Sequence, residues 1–167
     1  MLNRNIFDKD YKGNSDSEKQ ENEKKVFEQL EKVEACDDER LLIDMAVNHK
    51  KDIRVRLAAS KKVQSQEGLD YLLLATTIVP NGDNFKVALS VAERSDNPAI
   101  VDEAMRSILF CDSSAYYHEY IEKAISCITS IALLEKFIGS AAVSSGLKDL
   151  AYERAMELME SEEPWGF

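Results

Sequence analysis

The side chains that could carry out acid–base, nucleophilic or metal chemistry are few and poorly spaced for it. The chain has two histidines, His49 and His118, and three cysteines, Cys36, Cys111 and Cys127. Sequential zinc ligands usually lie about two to five residues apart. His118 stands seven residues from Cys111 and nine from Cys127. His118–Glu119 is not followed by a second histidine at metalloprotease spacing. His49 precedes Lys50 and Lys51 and reads as a solvated loop residue. There is no glycine-rich phosphate loop and no strand to lead into one. With two histidines and no nucleophile pair singled out, a Ser–His or Cys–His arrangement would have to arise by coincidence of folding. Carboxylates cluster at Asp37–Asp38–Glu39 and at Asp102–Glu103. At a helix start such charge is favoured by the backbone dipole, so capping accounts for the first cluster. No catalytic residue, cofactor or metal is therefore expected.

Charge points to binding. His49, Lys50, Lys51, Arg54, Arg56, Lys61 and Lys62 fall within fourteen residues, opposed only by Asp52. Elsewhere the chain is acidic, with 31 acidic against 21 basic side chains and a net charge of −10. Asp102, Glu103, Glu119, Glu122 and Glu153 belong to a broad electronegative surface that would steer a basic partner. Tyr116, Tyr117 and Tyr120 open one helix. Tyr117 and Tyr120 share a face with Ile121 and are expected in the core, which turns Tyr116 outward as an interface anchor.

These residues must be held by helices. Six glycines and three prolines in 167 residues are too few for a protein of strands and turns. No segment alternates with period two, and no apolar run approaches a membrane span. The opening MLNRNIFDKDYKGN has no apolar core of a secretory signal, and three widely spaced cysteines suit a reducing cytoplasm. Residues 1–17 read as a flexible arm, 18–163 as one domain and 164–167, with Trp165 and Phe167, as a tail over the last helix. Val26, Phe27, Leu30 and Val33 mark an amphipathic capping helix. Four pairs of helices follow. They are predicted over 38–48 and 52–65, 69–79 and 83–94, 97–109 and 114–130, and 132–145 and 147–161. Leu41, Leu42, Met45 and Ala46 form the first apolar stripe. Asn97 caps its helix ahead of Pro98, Ser113 or Ser114 caps the partner, and Gly146 suits a left-handed stop.

The second helices of the pairs are alike. Ala58, Ala88, Ala124 and Ala155 are separated by 30, 36 and 31 residues, with Val55, Phe85, Ile121 and Tyr152 three places earlier. Such self-similarity is the mark of stacked helical units. The segment DIRVRLAASKKV, Asp52–Val63, resembles the second helix of a short HEAT-like repeat, with Asp52, Val55, Arg56, Ala58 and Ala59 at the family's positions. The resemblance covers roughly residues 37–161. It weakens in later units, where Glu153 replaces the arginine and His118 the aspartate. It implies an all-α, right-handed α–α superhelix whose surface binds another macromolecule, usually protein.

The expectation is a non-enzymatic protein-binding module, such as an immunity or inhibitor protein acting on a basic effector. Its contact residues would be Asp102, Glu103, Tyr116, Glu119, Glu122 and Glu153. The alternative is a HEAT-like nucleic-acid binder or DNA glycosylase relative using Lys50, Lys51, Arg54, Arg56, Lys61 and Lys62. Acidic later units would repel a duplex, so nucleic acid is the disfavoured partner. A pigment-attaching lyase of the HEAT-like group is disfavoured for want of a catalytic set.

Overall fold

Short amphipathic segments led by Asp, Ser or Asn become helices because those side chains accept the first free N–H groups. The computed structural model describes residues 8–111 and 116–162, with side chains described over 16–111 and 116–161. Among the described residues the regular structure is all helix, with no strand. The helices are α1 (Asp8–Glu34), α2 (Glu39–Val47), α3 (Ile53–Lys62), α4 (Gln66–Thr77), α5 (Gly82–Ala92), α6 (Pro98–Leu109), α7 (His118–Cys127), α8 (Ile131–Ile138) and α9 (Ser145–Glu162). Asp38, Asp52, Ser65, Asn81, Asn97 and Ser130 each accept a backbone N–H at the start of α2, α3, α4, α5, α6 and α8. Pro98 occupies the first turn of α6, where its missing donor is harmless.

Helix α2 packs on α3, α4 on α5, α6 on α7 and α8 on α9. Helices α2, α4, α6 and α8 also touch in succession, as do α1, α3, α5, α7 and α9. The result is two rows of helices sharing one core, which runs unbroken from Val26 and Val33 of α1 to Ala151 and Ala155 of α9.

Two kinds of polar contact hold the rows in register. The first is a cationic side chain from a neighbouring element on the carbonyls at a helix end. Arg56, only 2% exposed, donates from Nε to the Ala46 carbonyl of α2 at 2.9 Å and from Nη2 to Asn84 Oδ1 at 2.7 Å. Lys62 Nζ donates to the carbonyls of Val33, Glu34 and Cys36 at 3.1, 2.7 and 2.6 Å, closing the end of α1. Arg94 donates to the Ser60 and Val63 carbonyls at the end of α3. Arg154 Nε donates to Ile128 O just past α7, at 3.2 Å. The second contact is a carboxylate that grips the loop after the following helix. Glu39 accepts from the backbone N–H groups of Gln64 and Ser65 and from the Ser65 hydroxyl. Asp70 accepts from Ser95 Oγ at 3.1 Å and Asn97 Nδ2 at 2.9 Å. Asp102 accepts from the Thr129 N–H and hydroxyl, both at 2.8 Å.

Several expectations need correction. Helix α1 opens at Asp8 rather than Glu18, and its expected part before Val26 is rich in helix formers and carries pairs such as Glu21–Lys25 at 2.6 Å. Phe27 and Leu41 are exposed, so the apolar stripes of α1 and α2 are narrower than the spacing suggests. In α3 it is Ala59 that is fully buried, with Ala58 half-buried, and in α9 Ala151 takes the inward place expected of Tyr152. Both shifts by one residue arise because three- and four-residue steps both keep a side chain on one helix face. Gly146 lies inside α9, and no described glycine has positive φ. The stop falls at Gly139, whose N–H returns to the Glu135 carbonyl, where low helix propensity ends α8. Residues 1–7, Ser113, Ser114 and 164–167 lie outside the described residues.

Replacing Arg56 by methionine keeps the bulk of its stem and removes both hydrogen bonds. Equilibrium urea unfolding should show a loss of about 2–4 kcal/mol, because the buried Ala46 carbonyl and Asn84 are left without their charged donor. The melting temperature should fall by roughly 5–12 °C for a chain of this size.

Candidate protein-binding surface

The tyrosines expected at the start of one helix do converge. Phe85 of α5 is fully buried and receives Tyr117 and Tyr120 edge-on, with ring centroids at 5.1 and 6.0 Å. Tyr116 then stands on Tyr117, edge to face at 5.3 Å, and is 85% exposed. The inward pair thus serves as a rigid footing for an outward ring. Tyr120 also leans on the start of α5, where a Cβ added to Gly82 would lie 3.1 Å from its hydroxyl. Glycine there permits the close approach.

Between α5 and α7 these rings frame an open groove of about 520 Å³. Tyr116, Tyr117 and Tyr120 supply aromatic walls, and Asp83 and Glu119 supply carboxylates. Glu119 bonds Lys123 at 2.7 Å, which holds its carboxyl below the usual range. Lys86 bonds Asp83 at 3.2 Å, and that bond, with the Tyr120 phenol beside it, holds the ammonium above its usual value. Both pairs are exposed, and such pairs contribute little. An incoming guanidinium or ammonium can replace the internal cations at small cost. It would gain aromatic faces and two carboxylates together.

The other expected contact residues are scattered in role. Glu122 faces His118 Nε2 at 3.1 Å on α7, beside Glu119. Glu103 is exposed on α6 with Arg106 at 3.5 Å. Glu153 is exposed on α9. Asp102 is not free for a partner, since Thr129 takes both of its oxygens. Asp83, Asn81 and Gly82 were missed by sequence reasoning. They lie more than thirty residues upstream of Tyr116, and only the correspondence of Phe85 with Ile121 links the two helices.

The basic cluster is largely consumed within the fold. Arg56 and Lys62 cap helices. Lys51 Nζ donates to Gln29 Oε1 at 3.0 Å. Arg54 is forked between Glu23 and Asp52 at 2.8–3.0 Å, and these bonds raise its pKa further above the ordinary arginine value. Lys50 and Lys61 are exposed. Among the described residues no group of three His, Cys, Asp or Glu side chains could hold a metal ion, and no helix is long and apolar enough to cross a membrane.

No family model matches the chain, and no curated protein or solved structure matches it either.

Cys111 is buried, while Cys36 and Cys127 are half-buried. Burial is the main cause that pushes the Cys127 thiol up from its ordinary value. In a Cys36→Ser/Cys111→Ser background, Cys127 should react with Ellman's reagent at pH 8 more slowly than a free thiol. Unfolding in urea should restore the free-thiol rate, because less thiolate exists at any pH while the pKa is raised.

Proposed function

We propose that the chain is a short right-handed α–α superhelix of HEAT-like type, four helix pairs behind an N-terminal capping helix. In this reading it is a non-enzymatic module that binds a protein with a basic surface, as an immunity or inhibitor protein does to neutralise a basic effector. The succession of contacts within each row of helices supports the architecture. The net charge of −10 supports attraction of a cationic partner.

The observation that carries the reading is Tyr116. A tyrosine 85% exposed, propped on a second ring beside Asp83 and Glu119, has the make-up of an interface hot spot for an arginine or lysine. The nucleic-acid alternative loses support because Arg54, Arg56 and Lys62 are engaged within the fold.

A photo-crosslinking phenylalanine analogue at position 116 tests this in the native host. The expected adduct is a protein of pI above about 9, the basic range typical of nucleic-acid-directed proteins. The purified partner should bind the Tyr116→Ala variant about tenfold more weakly, as for loss of an interface anchor. An adduct with nucleic acid, or a partner whose affinity ignores Tyr116→Ala, would overturn it.

A further inference from the structure

Helix α9 uses one side for the core and leaves an apolar stripe on another. Ala151 and Ala155 are buried, and Arg154 reaches back to the carbonyl that ends α7. Residues two apart on a helix point about 200° apart, so Tyr152 faces away from Arg154. Met156 and Met159, four and seven residues after Tyr152, share its face. These three side chains are 60%, 40% and 42% exposed.

The charge beside the stripe says what fits there. Asp149, Glu153 and Glu160 are exposed and fall at four- and seven-residue spacing along one flank of the stripe.

We propose that the α9 face is a docking site for a basic amphipathic helix of a partner protein. Its apolar residues would lie over Tyr152, Met156 and Met159, and its Lys or Arg side chains would meet Asp149, Glu153 and Glu160. Methionine's flexible, polarisable side chain suits such a surface, and a stripe of residues four and seven apart can receive a second helix laid along it. Charge complementarity selects a basic helix over an acidic one. The site is on a different helix from the groove at Tyr116 and stands without it.

The probe is a fluorescent leucine/lysine amphipathic peptide of about five helical turns, titrated into the full chain by anisotropy at physiological salt. A leucine/glutamate peptide of the same length and pattern serves as control. The Met156→Ser/Met159→Ser variant leaves net charge unchanged and should bind the basic peptide about tenfold more weakly, the loss of roughly 1.4 kcal/mol of apolar contact. Circular dichroism should show its helix content intact. Glu153→Gln/Glu160→Gln should weaken binding and flatten its salt dependence, and Tyr116→Ala should leave it unchanged. Equal binding of the acidic peptide, or indifference to the methionine substitutions, would overturn the proposal. So would a dimer dissolved by Met156→Ser/Met159→Ser, which makes a second copy the occupant. Binding that appears only after removal of residues 163–167 would likewise overturn it, since the chain's own tail would then occupy the face.

Discussion

Every α-helix leaves its last carbonyls without an intrahelical partner, and in a helix of eight to twelve residues these are a large share of the backbone. Helices α2 to α8 are all of that length. The chain meets the constraint with cations drawn from neighbouring elements. Arg56 closes α2, Lys62 closes α1, Arg94 closes α3 and Arg154 reaches the end of α7. Each such bond joins a positive side chain to the negative pole of a helix dipole, so geometry and electrostatics agree. Apolar burial draws the helices together, but it is non-directional. The caps fix which turn of one helix meets which turn of the next.

This use of cations shapes the exterior. A chain with 21 basic side chains assigns several of them to internal carbonyls and carboxylates. The carboxylates outnumber them, and only some, such as Glu39, Asp70 and Asp102, are enlisted as loop grips. Others, such as Glu103 and Glu153, face solvent. The same economy that organises the fold therefore leaves a negative surface, and the tyrosine cluster on Phe85 places one rigid aromatic ring within it. Fold and surface charge have one electrostatic origin.

Much of this was legible in the sequence. The cap at Asn97 ahead of Pro98, the absence of strands among the described residues and the helix pairs follow from local rules about donors, glycine and period. The outward turn of Tyr116 follows from its place beside Tyr117, Tyr120 and Ile121. What escaped was set by tertiary contact. Lys62 and Lys61 are adjacent and chemically identical, yet one meets three carbonyls and the other faces solvent. Asp102 looks like any surface acid until Thr129 is brought to it. Asp83 joins the groove only because α5 and α7 are neighbours in space. Such roles depend on which helix ends meet, and no local pattern encodes that.

The adjacent lysines give the most direct measurement. Lys62→Met and Lys61→Met remove the same charge from the same helix, so their urea unfolding free energies isolate the capping role. Lys62→Met should lose about 1–2 kcal/mol, the usual value of a charged donor at a helix C-terminus. Lys61→Met should stay within about 0.5 kcal/mol of the parent, as exposed substitutions do. Equal effects of the two substitutions would contradict the claim that cationic caps hold the rows of helices in register.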